Sequence, residues 1–158
     1  MKNQNDNATM SVATEDFSYC MVVNASAEET LKRIAQVDLW WAKKFSGKAS
    51  ELNDEFSVYF GGPADTFVDF KISEFIPGKK IVWLVTDCNL HWINDKKEWK
   101  NTEVIWTLTE KDGKTQVDFV HKGLNPEAEC YESCKPGWTH HLKDSFVKLV
   151  NEGKGFPE

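Results

Sequence analysis

Residues 136–155 read PGWTHHLKDSFVKLVNEGKG. Pro136 suits the first turn of a helix, where the leading N–H groups lack intrahelical partners anyway. Gly153 and Lys154 suit its end. Between them Trp138, Leu142, Ser145/Phe146 and Leu149 recur at helical spacing and make one apolar face. Whatever precedes this helix must cover that face.

What precedes it is a run of strands. FSYCMVVN (17–24) alternates, with Phe17, Tyr19, Met21 and Val23 on one side. SAEETLKRIAQ (26–36) then opens on a capping box, Ser26 with Glu29, and carries Leu31, Ile34 and Ala35 on an apolar face. VDLWWAKKF (37–45) reads as a second short helix or turn. EFSVYF (55–60), TFVDFKISEF (66–75), KIVWLVTD (80–87), TEVIWTLTE (102–110) and TQVDFVHKG (115–123) follow as strands, punctuated by GGPAD, Pro77-Gly78 and KDGK. Most of these connections are too short for a parallel crossover. The expected architecture is α+β: a curved antiparallel sheet of about six strands around a long C-terminal helix, with two short helices after the first strand.

The 158 residues fit one domain, expected over 16–158, after a polar, Asn-rich, disordered tail over 1–15. A net charge of −6 and a single arginine, Arg33, argue against a nucleic-acid partner. No apolar run approaches a signal peptide or a membrane span, so no membrane insertion and a cytoplasmic location are expected. The four cysteines, Cys20, Cys88, Cys130 and Cys134, are irregularly spaced and read as free thiols. Seven tryptophans suit a large core, a roomy pocket or an interface.

Three segments carry a family likeness: TEVIWTLTEKDGKTQVDFVHKGL (102–124), PGWTHHLKDSFVKLVNEGKG (136–155) and YCMVVNASAEETLKRI (19–34). With the strand order, they make the chain resemble the family of the activator of heat-shock-protein ATPase homologue, within the START-like or SRPBCC superfamily. The resemblance implies a helix-grip fold. It also implies function classes: binders of hydrophobic ligands, co-chaperone domains and, in related branches, cyclases. With a single domain expected, and none of the preceding chaperone-binding kind that eukaryotic co-chaperones carry, ligand binding is expected ahead of ATPase activation.

Period-two reading puts Phe56, Val58, Phe60, Val68, Phe70, Ile72, Val104, Trp106, Leu108, Val117, Phe119 and His121 on the concave face, with no carboxylate among them. Acid/base catalysis wants a positioned carboxylate or histidine with a group to orient it. An aromatic concavity with few polar groups is what a small-molecule site looks like, although the same side chains could fill a core. The resemblance favours the cavity.

On the closing helix His140 and His141 lie about 100° apart, so one faces outward, near Asp144, while His141 borders the apolar face. The competing reading of His141 is a satisfied structural histidine. Cys130, Cys134, His121 and His141 match no zinc spacing, and Pro136 argues against a continuous helix across them. Cys134 near a helix start would suit a thiolate nucleophile, but inert thiols are commoner. The segment 88–101, with His91, Trp92, Ile93 and Trp99, reads either as a lid or partner surface, or as an extension of its flanking strands.

The expectation is a non-enzymatic domain without cofactor or metal that holds a small hydrophobic molecule between sheet and helix. Phe70, Trp106, Phe119, His121, Trp138 and His141 are the candidate ligand-binding residues. The alternatives are a chaperone-activator-like interaction module, partnered by a chaperone or by a second copy of the chain, and a cyclase or hydrolase using His121.

Overall fold

The computed structural model describes residues 15–61 and 66–158. Its seven strands are β1 (Phe17–Val23), β2 (Lys44–Gly47), β3 (Glu55–Gly61), β4 (Thr66–Ile76), β5 (Lys80–Asn89), β6 (Glu103–Lys111) and β7 (Lys114–Lys122). They form one antiparallel sheet in the order β1-β7-β6-β5-β4-β3-β2. The six-strand expectation thus gains β2. KFSG is too short to show an alternation, and it becomes a strand only because β3 supplies its hydrogen bonds. The tail expected over 1–15 lies, apart from Glu15, outside the described residues. No helix among the described residues is long and apolar enough to cross a membrane.

Local rules account for the elements between the strands. Helix α1 (Ala27–Ala35) starts where the Ser26 hydroxyl accepts the Glu29 N–H at 3.1 Å, and it buries Ala27, Thr30 and Ile34. Helix α2 (Val37–Trp40) is a single turn that delivers Trp40 and, just beyond it, Trp41 into the core.

The closing helix runs as α3 (Tyr131–His141), a π-helical turn over Leu142–Phe146, and α4 (Val147–Glu152). It starts five residues before the expected Pro136. Pro136 lies inside it, past the first turn, where it leaves the helix one backbone hydrogen bond short. The π turn takes one extra residue into its circuit, so Ser145 and Phe146 are both buried along with Leu142 and Leu149. The helix stops at Gly153, whose φ of 83° is a left-handed conformation that glycine adopts without penalty.

Beyond it the chain doubles back. Gly155 passes so close to the Leu39 carbonyl that a Cβ would sit 2.4 Å from it. Buried Ser145 fixes this return, donating to the Trp40 carbonyl at 2.6 Å and accepting the Phe156 N–H at 2.7 Å. The Glu158 N–H then donates to the Trp41 carbonyl, and Lys43 N–H to the Glu158 carbonyl.

The core between sheet and helix is aromatic. Trp83 stacks against Trp40 and Trp41 at interplanar angles of 22° and 5°, with Trp106, Phe56 and Phe70 edge-on to it. Phe146 of the helix packs on both Trp40 and Trp106. Burying a Phe-sized side chain contributes roughly 1.5–3 kcal/mol, so this cluster is the main apolar contribution to the fold.

The free-thiol reading is corrected at two positions. Cys130 and Cys134 form a disulfide with Cα atoms 5.4 Å apart, while Cys20 and Cys88 are free. Because the helix begins at Tyr131, ahead of Pro136, its cap residue Cys130 and Cys134, four places on, share a face.

Candidate functional site

A cavity of about 360 Å³ opens where one face of α3, from Ser133 to His141, meets the segment 90–101 and the end of α2. Four indoles shape it. Trp138 comes from α3, Trp41 from the end of α2, and Trp92 and Trp99 from the segment after β5; Phe60 of β3 adds a fifth ring. Trp99 and Trp138 are stacked within 7° of parallel, and Trp41 packs on Trp138 with ring centroids 4.9 Å apart. Polar lining is sparse: Ser133, Cys134, His141 and Glu158, whose carboxylate also lies 3.8 Å from His140 Nε2. Gly137 forms part of the helical wall, and a Cβ placed there would meet nothing within 4 Å.

The 90–101 segment is neither a strand extension nor a loose loop. Two carboxylates tie it to the start of α3 in both directions. Glu98 accepts the N–H groups of Glu129 and Cys130 at 2.7 and 2.8 Å. Glu129 in return accepts those of Asn94 and Asp95 at 2.7 and 3.0 Å, and these bonds hold its carboxyl below the usual range. The Glu98 contacts satisfy amides around the helix start that would otherwise lack partners. The Trp92 indole N–H donates to Cys130 Sγ at 3.2 Å, which seats Trp92 at the cavity while leaving it 39% exposed.

Of the six residues singled out from sequence, Trp138 and His141 line this cavity. Phe70, Trp106 and Phe119 sit in the filled aromatic core, all essentially without exposure. The rings of Trp40, Trp41, Trp83 and Phe146 occupy the space in front of them.

His121 is enclosed in a hydrogen-bonded chain. Trp138 Nε1–H donates to its Nδ1 at 3.1 Å, so the ring proton resides on Nε2. Nε2 in turn meets Thr102 Oγ1 at 2.9 Å, and that hydroxyl donates to the Trp99 carbonyl at 2.6 Å. Burial without a countercharge lowers the His121 pKa from 6.5 to about 3. The ring is therefore neutral and fully paired, and it holds two cavity tryptophans in place from behind.

His141 differs. Burial depresses its pKa as well, partly opposed by the Glu158 carboxylate. Its Nδ1 is buried beside the cavity without a hydrogen-bond partner among the described residues. His140 faces outward, its Nδ1 3.2 Å from Asp144 Oδ2. Trp41, Trp99, Gly137 and Glu158 belong to the cavity wall but carry no local pattern that marks them. Only the unusual density of tryptophan, and the length of the 88–101 segment, pointed their way.

The site can therefore enclose a flat, largely apolar group against indole faces and offer it few hydrogen-bonding partners. A second, wider depression of about 580 Å³ lies outside the grip, between α1 and the β4–β5 turn. Its lining is chiefly aliphatic with Lys32 and Glu28, and no aromatic stack shapes it.

Comparison with known proteins gives the following. The model of the family described as Activator of Hsp90 ATPase homolog 1-like protein matches residues 29–151. The solution structure of the Aha1 dimer from Colwellia psychrerythraea is 20% identical, with 89% of this chain and 98% of that chain covered, at a TM-score of 0.70. CalU16 from Micromonospora echinospora is 13% identical, with 88% and 75% covered and a TM-score of 0.62. DynU16, from the dynemicin biosynthetic locus, is 17% identical at a TM-score of 0.62; 87% of this chain matches 48% of that one. No curated protein sequence matches the chain. At these identities the solved structures share the helix-grip fold with it, and the fold alone.

Proposed function

We propose that this chain, which belongs to the family of Activator of Hsp90 ATPase homolog 1-like proteins, binds a small, flat, mostly apolar molecule in the tryptophan-walled cavity. The observation that carries this reading is the cavity itself: about 360 Å³, within the ordinary range of small-molecule sites, and walled by Trp41, Trp92, Trp99 and Trp138. The indoles supply buried area and flat faces. His141, with its unpaired ring nitrogen, and the Glu158 carboxylate supply the polar end. His121 takes no part in this polar end, because Trp138 and Thr102 close off both its ring nitrogens.

The test is native mass spectrometry of freshly purified protein, followed by titration with N-phenyl-1-naphthylamine, a neutral apolar fluorophore. The expected result is either a co-purifying small molecule or saturable one-to-one uptake of the probe with quenching of tryptophan emission. No retained molecule together with no saturable uptake overturns the reading.

Pairing with a second copy of the chain is the other reading, supported by the dimeric state of the Colwellia relative and by Val22, 56% exposed on the edge strand β1. Sedimentation velocity across a hundredfold concentration range should then show a dimer that Val22→Lys weakens at least tenfold. A monomer throughout dismisses it.

A further inference from the structure

The cavity wall contains a reactive pair that the ligand-binding reading does not use. Cys134 lines the cavity, and Cys130 lies directly behind it with no exposed surface. Cys130 is sealed by the Trp92 indole N–H at 3.2 Å, with the Ser133 hydroxyl 3.9 Å from its sulfur. The disulfide they form spans a sequence separation of only four within the start of one helix. Closing so short a loop restrains the unfolded chain far less than a long-range crosslink does, so stability gives this bond little purpose. It also crosses no gap between elements, since Glu98 and Glu129 already bind the neighbouring segment.

The remaining cysteines show the contrast. Cys88 is buried in β5 with its thiol pushed up by burial. Cys20 stands on the outer face, its thiol raised by the Asp118 carboxylate beside it. Both are free, and neither lines the tryptophan-walled cavity.

We infer that Cys130 and Cys134 form a reversible dithiol–disulfide couple addressed through the cavity, in which Cys134 is the entering sulfur and Cys130 the resolving one. The oxidant is a low-molecular-weight disulfide, R–S–S–R. The Cys134 thiolate attacks one of its sulfurs, the R–S–S–R bond breaks, a Cys134–S–S–R mixed disulfide forms and one R–S⁻ leaves. The Cys130 thiolate then attacks the Cys134 sulfur, forms the Cys130–Cys134 bond and expels the second R–S⁻. The protein gives up two electrons and two protons, and the oxidant departs as two R–SH. A small thiol runs the sequence backwards, meeting Cys134 first because Cys130 is covered. The couple thereby decides whether the wall facing a bound molecule presents a thiol or a closed disulfide.

The experiment equilibrates the intact protein in buffers of varied glutathione to glutathione-disulfide ratio. Free thiols are then blocked with iodoacetamide, and Cys20, Cys88, Cys130 and Cys134 are mapped by peptide mass spectrometry. The wild type should pass from two blocked thiols to one internal disulfide at 130/134 as the ratio falls. Cys130→Ser should accumulate glutathione on Cys134 at least tenfold above what Cys134→Ser accumulates on Cys130. A wild-type pair that stays a dithiol, or stays a disulfide, at every ratio overturns the inference, and it requires no variant to fold. Glutathione on Cys130 in Cys134→Ser, matching that on Cys134 in the other variant, overturns the assigned order of the two sulfurs.

Discussion

Gly137→Phe should leave the protein folded and abolish probe uptake, lowering affinity for N-phenyl-1-naphthylamine at least a hundredfold. The residue sits in mid-helix with no neighbour within 4 Å of a Cβ and forms part of the cavity wall. A larger side chain therefore has room at this position, and it lies in the wall of the cavity the ligand would occupy. The backbone favours the exchange as well, because glycine in a helix interior costs roughly 0.5–1 kcal/mol relative to alanine.

Gly137→Ala is the companion variant. It should raise the thermal midpoint slightly, by the equivalent of about 0.5–1 kcal/mol, while keeping most of the affinity. Circular dichroism melts report the first effect and fluorescence titration the second. If Gly137→Phe melts like the wild type and still takes up the probe unchanged, the tryptophan-walled cavity is not the binding site.

The second large effect concerns acid. His121 has its pKa lowered from 6.5 to about 3 by burial, so the unfolded chain binds a proton in that interval that the folded one refuses. Stability must then rise with pH across the window. The contribution is fully present above 6.5 and is lost progressively as pH falls toward 3, with a limiting slope of about 1.4 kcal/mol per pH unit for one proton.

Between pH 6.5 and about 5.5 the carboxylates whose pKa values are lowered, Asp87 and Glu129, contribute little, because their ordinary values of 3.8 and 4.5 lie well below this interval. The slope there belongs to His121 and, with the same sign, to His141. His121→Gln can accept from Trp138 through its carbonyl oxygen and donate to Thr102 through its amide, preserving the chain without a titratable ring. Urea unfolding at half-unit pH steps should show the variant's slope reduced by up to one proton in this interval. Equal slopes in the two proteins would mean that His121 is not held neutral by the fold.

Much of this protein is legible along the chain because its physics is local. Alternation in β3, β4, β6 and β7 predicts which side chains are buried, and it predicts that Phe70, Trp106 and Phe119 point inward, as they do. The Ser26 cap, the Asp112-Gly113 turn, the left-handed Gly153 and the outward His140 beside Asp144 follow from contacts within a few residues. What failed did so for equally local reasons. KFSG has no pattern of its own, and a proline at position 136 is poor evidence for where a helix begins.

The sequence by itself determined the sheet, the closing helix, the faces that meet and hence the helix-grip architecture. Period and spacing record which side of an element is apolar. Only the tertiary structure decided where along that shared face the packing stops short of filling the space. Trp40 and Trp41, Trp83 and Phe146 arrive from three separate parts of the chain to fill the middle, and the cavity survives beside α3. The same holds for His121, whose partners Trp138 and Thr102 lie 17 and 19 residues away in sequence, and for the 90–101 segment, tied down by Glu98 and Glu129. These are meetings between elements, set by how far each side chain reaches once sheet and helix are in place, and no periodicity within one element encodes them.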